Sequence, residues 1–242
     1  ESSGGLVGSE MCIRDRPEKH EVRMLRDVLA ISEGEVFGRE PLIVLYREVL
    51  QLLTAEDKLP HFTELKALLA KHQTAVTKEE LANLYTPAVN FCMDQISAGK
   101  NEFIAQLFDL YKGRVESGLI YKHHHILPRT FHTIISVALK AGEFDWLLHF
   151  TETYCKDVVT EFQDSIRHFA VGAVHLYKGE FDAAYDSLLK IENAPDVYYE
   201  IDWRTMQLRA FYEKGAEEAY VFDNLCETCL LYTSPSPRDL LK

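Results

Sequence analysis

The chain has 242 residues, 26 of them Lys or Arg and 38 Asp or Glu, for a formal net charge of −12, and 47% of the residues are hydrophobic. An acidic surface repels phosphate backbones and anionic lipid, which argues against nucleic acid or a membrane as the main partner. No apolar run reaches membrane-spanning length.

In chain order, residues 1–16, ESSGGLVGSEMCIRDR, show neither helical nor strand period and lack the apolar core of a signal peptide. Residues 229–242, CLLYTSPSPRDLLK, are equally out of character. Both segments resemble translated sequencing-adapter read-through, so they are read as non-native or disordered tails and carry no expected function. Between them, residues 17–228 start without an initiator methionine near Pro17, and they are expected to be an internal piece of a longer protein. Trimming leaves Cys92, Cys155 and Cys226, an odd number embedded in helical patterns, which points to a reducing, cytoplasmic setting rather than a disulfide framework. The spacing of Cys226 and Cys229 spells C-x-x-C, but Cys229 falls in the tail and no second pair completes a metal site.

The remaining pattern is helical throughout. Val22, Leu25, Val28 and Leu29 share one side of a helix over Glu18–Ile31, with Gly34 and Gly38 close behind. Pro41 suits a first helical position, and Leu42, Leu45, Tyr46, Val49, Leu50 and Leu53 follow. Phe62, Leu65, Leu68 and Leu69 predict a third helix. Thr77 and Glu80 have capping-box spacing and open a longer one to Gly99, in which Pro87 predicts a bend or a fresh start. Phe103 to Tyr111 predicts another helix, fading at Gly113 or Gly118, and residues 119–127 read as a connecting loop. The first domain is therefore placed at 17–118 and the second at 128–228.

The second domain repeats one plan. Thr130–Lys140 ends at Gly142 and is answered by Phe144, Trp146, Leu147, Phe150 and Tyr154; Ile166–Tyr177 ends at Gly179 and is answered by Phe181, Ala184, Leu188 and Ile191. Val197 to Phe211 ends at Gly215, with Ala219, Val221, Phe222 and Leu225 beyond. Glycine accepts the left-handed conformation that closes a helix, and acidic residues just after it suit the next helix's first turn. Gly172 has no cap or turn to explain it, so close approach of a neighbouring helix is expected there. The turn glycines Gly99, Gly142, Gly179 and Gly215 recur at 43, 37 and 36 residues, and the surplus in the first interval falls at Gly113–Leu127.

Gly172, Gly179, Phe181 and Ala184, with Pro195 near the end, fall within a residue of the small and turn positions of a tetratricopeptide repeat, about 34 residues of helix, turn and helix. The hairpin is tetratricopeptide-like, with His168, Val171 and His175 departing from that family's usual residues. More broadly, residues 35–228 resemble uncharacterised bacterial proteins of this kind, in which a GEFDW turn, here Gly142–Trp146, precedes a YxxDxR helix, here Tyr199–Arg204. The resemblance implies the fold: all-α, a right-handed α-solenoid of stacked antiparallel hairpins with about ten helices. It implies no activity, partner or catalytic residue.

For chemistry, His123, His124 and His125 contain metal-ligating side chains, but consecutive residues point in different directions and no nearby Cys, Asp or Glu completes a set. His168 and His175 lie seven apart and would share a helix face, where a structural role is the simpler reading. There is no H-E-x-x-H, no G-x-S-x-G and no phosphate-cradling glycine loop, and acidic pairs such as Glu79–Glu80 and Glu217–Glu218 read as solvated faces. No enzyme, cofactor or metal is therefore expected.

A binding surface is better defined. In tetratricopeptide stacks the first helix of each hairpin lines the concave side. Alignment on the turn glycines puts Arg129, His132, Ser136 and Lys140 there, then Phe169, Ala173 and Tyr177, then Asp202, Thr205, Arg209 and Tyr212. Cations, hydroxyls and rings in that mixture suit an extended peptide. A protein- or peptide-binding scaffold is the leading expectation. A purely structural spacer for an upstream domain and a metal-dependent helical enzyme using the histidine loop are the alternatives.

Overall fold

A computed structural model describes residues 24–34 and 37–215. They form ten α-helices and one minimal β-hairpin: α1 Leu25–Ser32, α2 Pro41–Thr54, α3 Leu59–His72, α4 Lys78–Ser97, α5 Phe103–Glu116, β1 Tyr121–Lys122, β2 His125–Ile126, α6 Pro128–Ala141, α7 Phe144–Tyr154, α8 Gln163–Lys178, α9 Phe181–Leu188 and α10 Val197–Glu213. The contacts divide the chain into two compact units at Ala88/Val89, one residue past Pro87. That proline lies inside an otherwise continuous α4.

In the first unit, α2 packs on α3 through Leu45, Val49 and Leu52 against Phe62, Leu65 and Leu69. Prolines near the starts of both helices supply the preset φ and sacrifice only a donor that has no intrahelical partner. Glu48 is buried in this layer with its carboxylate between two partners, His61 Nδ1 at 3.1 Å and Arg47 Nε at 3.6 Å. The Thr77 hydroxyl accepts from the Glu80 amide at 3.3 Å, half of the expected capping box. The Glu80 carboxylate instead accepts from the Tyr46 hydroxyl, fastening α4 to α2.

The second unit is built from hairpins whose chain reversal is the same each time. Gly142 closes α6 at φ 76° and Gly179 closes α8 at φ 77°, a conformation that costs an L side chain about 1–2 kcal/mol. In both, the residue after the glycine donates back across the turn: Glu143 N to Ala138 O at 3.0 Å and Glu180 N to His175 O at 2.9 Å. This satisfies carbonyls the helix end would leave orphaned. His175 also pairs with the Glu180 carboxylate across Gly179.

Gly172 has the packing reason its position demanded. A Cβ there would come within 2.8 Å of Leu188 Cγ and 3.3 Å of the Ala184 carbonyl, so α8 and α9 approach at a distance that only glycine permits. Leu176, Ala184, Tyr185, Ala210 and Phe211 then form one buried cluster across α8, α9 and α10. Two lysines also lie over the rings of earlier helices, Lys178 Nζ 5.7 Å from the centre of Phe144 and Lys214 Nζ 4.2 Å from that of Tyr185. Both lysines sit immediately before a turn glycine, where positive charge suits the helix C-terminus.

Sequence and structure differ in three places. α5 runs through Gly113 to Glu116, so helix takes part of the surplus assigned to an enlarged connection; Gly118, at φ 67°, closes it. Within the expected loop 119–127, two-residue strands pair Tyr121 with Ile126 and Lys122 with His125. Its tip is His123 and His124, both left-handed at φ 49° and 69°. α9 stops at Leu188 rather than near Ile191, and its last carbonyl is instead taken by the buried Trp203 indole at 2.9 Å. The helix expected after Gly215 and both tails lie outside the described residues.

Candidate binding surface

The helices that precede the turn glycines pack side by side, α6 on α8 and α8 on α10, and α6 and α8 also pack against the helices that follow them, α7 and α9. All the residues expected to line a concave face therefore come from three neighbouring helices of one unit. They do not share one environment.

Toward the N-terminal ends the three helices close on each other. Phe169, at 0% exposure, is not a surface residue: its ring lies 5.3 Å from His132 and 4.6 Å from Tyr199. This corrects its placement in a groove, because the side chains of α6 and α10 reach across α8 and meet above it. His132 and Tyr199 are 5.0 Å apart between ring centres, and His132 Nε2 sits 3.1 Å from Asp202 Oδ2, without the alignment of a hydrogen bond. Above them the Arg129 guanidinium lies 5.4 Å from the centre of the exposed Tyr198 ring. His132 is thus engaged inside the protein, while Arg129 reaches Tyr198 and Asp202 reaches His132 from exposed positions, and burial pushes the Tyr199 phenol well above its ordinary range.

Toward the C-terminal ends the same helices stay open. Lys140 and Arg209 are exposed, Tyr177 is 43% exposed, Ser136 is half-buried, and Ala173 lies buried beneath. Tyr177 meets the edge of Phe144, 6.3 Å away between ring centres. No carboxylate among the described residues pairs with Lys140 or Arg209. Thr205 is exposed, one turn before Arg209. Tyr212 is 70% exposed, but it lies one residue out of register with Lys140 and Tyr177, being three residues before its glycine where they are two before theirs.

The aromatic shell beneath this surface was partly hidden in the sequence. Trp146 stacks on Phe150 at 5.2 Å and receives the edge of Phe108 at 5.0 Å, joining α5 to α7. Tyr198, Tyr199 and Trp203 were not singled out as site residues, although Tyr199 opens the quoted YxxDxR run. Their clue was a helix start rich in rings and capped by Asp196, whose carboxylate accepts from the Tyr199 amide at 2.9 Å.

The histidine stretch and the cysteines occupy unrelated surroundings. His123, His124 and His125 are exposed, and no group of three metal-ligating side chains occurs among the described residues. The hairpin is fastened by Tyr121, whose hydroxyl donates to Asp157 Oδ2 at 2.7 Å; partial burial and that bond push the phenol up to about 12. Cys155 is buried and donates to the Gln163 carbonyl at 3.0 Å, and burial pushes the thiol up, keeping it protonated. His168 and His175 have separate roles: burial lowers the His168 pKa, while His175 serves the α8 turn. In the first unit a cleft of about 200 Å³ lies between α1 and α2, walled by apolar side chains with Arg47 and Ser32 among them.

No family model, curated protein or solved structure matches this chain. Among the described residues no helix is long and apolar enough to cross a membrane.

Proposed function

We propose that residues 128–215 are the binding part of a non-catalytic, cytoplasmic scaffold that holds a protein or peptide on the first helices of a right-handed tetratricopeptide-like stack. The observation that carries this reading is the open half of that surface. Among the described residues Lys140 and Arg209 have no carboxylate partner, and Tyr177, at the same place before its turn glycine as Lys140, is exposed, in a chain of net charge −12. Unpaired cations beside a ring suit a carboxylate-bearing segment, since ion pairing orients it and ring burial holds it. The engaged half supplies rigidity, so the open half is presented at low ordering cost.

The spacer reading has one observation in its favour, because Arg129, His132 and Asp202 already have partners of their own, Arg129 over the Tyr198 ring and His132 beside Asp202. Affinity capture with the full chain separates the two. The double variant Lys140→Glu with Arg209→Glu is expected to lose the captured partner, while Arg129→Ala retains it. Equal capture by both variants would remove the binding surface proposed here, and a spacer would remain.

A further inference from the structure

The β-hairpin between α5 and α6 is held at its base and bare at its tip. Its flanks are core residues, Ile120 at 4% and Ile126 at 0% exposure, and the Tyr121 hydroxyl donates to Asp157 Oδ2 at 2.7 Å. Between those anchors Lys122, His123, His124 and His125 are all exposed. Lys122 and His125 pair across the two strands, so their side chains leave the same face, and His123 and His124 make the two-residue turn. Both turn residues are left-handed, at φ 49° and 69°, a geometry that Asn-Gly adopts with less strain. Imidazoles therefore stand at the tip despite a turn that favours other residues. No carboxylate among the described residues pairs with any of the four side chains.

We propose that this hairpin is a second docking point, at which Lys122, His123, His124 and His125 receive a short carboxylate-rich segment of a partner protein. An ammonium and an imidazolium only donate hydrogen bonds and a carboxylate only accepts them, so tip and segment match in charge and in donor sense. In a chain of net charge −12, four consecutive side chains here carry either positive charge or none. A nucleic-acid duplex or an anionic bilayer would extend past so small a tip and meet the acidic remainder of the chain, whereas a short segment is met by the tip alone. This site goes beyond the surface on α6, α8 and α10, because the hairpin precedes Pro128 and so lies at the opposite end of α6 from Lys140.

The test measures binding of a fluorescent hexaglutamate peptide to the full chain by anisotropy, at low salt and about pH 6, where imidazole carries charge. His123→Asn with His124→Gly supplies the usual residues of a two-residue turn and removes both tip imidazoles. Lys122→Gln with His125→Gln alters only the strand positions behind the turn. Each double variant is expected to bind roughly three- to tenfold more weakly than the parent. Parent-like affinity in both variants, or no binding by the parent, would overturn the proposal. So would tip-dependent binding that is tighter to duplex DNA or to phosphatidylserine vesicles than to the peptide, because the partner would then be a phosphate surface. The same losses are expected on a background of Lys140→Glu with Arg209→Glu, so this docking point and the surface on α6, α8 and α10 can fail separately.

Discussion

The two ends of α6, α8 and α10 are made from the same helices and behave oppositely. At the N-terminal ends His132, Phe169, Tyr199 and Asp202 converge, so polar and aromatic groups that read as ligand contacts are spent on holding helices together. At the C-terminal ends the equivalent faces carry Ser136, Ala173 and Arg209, then Lys140 and Tyr177, and stay open. Side-chain size accounts for the difference: large rings fill one end and draw α6 and α10 together, while small residues at the other leave the cations standing free. The surface of these three packed helices is thus not uniform from one end to the other, and register alone does not say which positions are free.

Substitutions sharpen this contrast in order of size. Phe169→Ala, at the centre of the closed end, is expected to destabilise by about 3–5 kcal/mol in denaturant unfolding, since it removes a fully buried ring between three helices. A cost under about 1 kcal/mol would place Phe169 at the surface after all. Gly172→Leu is expected to cost about 1–3 kcal/mol, because Leu188 has no free space to yield. An unchanged melting temperature would contradict the close approach of α8 and α9. Trp203→Phe removes the indole's bond to the Leu188 carbonyl, leaving it only the longer one from the Ile191 amide at 3.4 Å, and is expected to cost about 0.5–1.5 kcal/mol. At the open end, Lys140→Ala and Arg209→Ala are expected to change stability by no more than about 0.5 kcal/mol.

The smallest effect concerns the β-hairpin. Tyr121 has a folded pKa of about 12 against an ordinary 10.0, so its protonated form is favoured in the folded chain. The stability this contributes is fully present below pH 10 and is lost as pH rises toward 12. Tyr121→Phe is therefore expected to flatten the alkaline loss of stability across that window, measured by unfolding at stepped pH, and an identical slope would contradict the bond to Asp157.

Much of the fold was legible from local chemistry. Gly142 and Gly179 announced left-handed turns, Pro41 a helix start, and Gly172 a close helix crossing, because each residue type has few other reasons to stand where it does. What stayed hidden depended on non-local packing or on unusual turn residues. The two-residue hairpin at His123–His124 uses left-handed histidines where Asn-Gly is the usual signal, so nothing in the sequence marked it. Phe169 matched the groove register, and only the reach of His132 and Tyr199 over α8 shows that it is buried. Trp203, inside the quoted YxxDxR run, gave no hint that its indole would end α9 early by taking the Leu188 carbonyl.

The convergence of α6 and α10 over α8 is tested most directly by a double-mutant cycle on His132→Ala and Tyr199→Ala in unfolding experiments. Ring packing between them predicts a coupling of about 0.5–1.5 kcal/mol. Effects that add within about 0.3 kcal/mol would separate the two helices and return Arg129, His132 and Asp202 to an open surface.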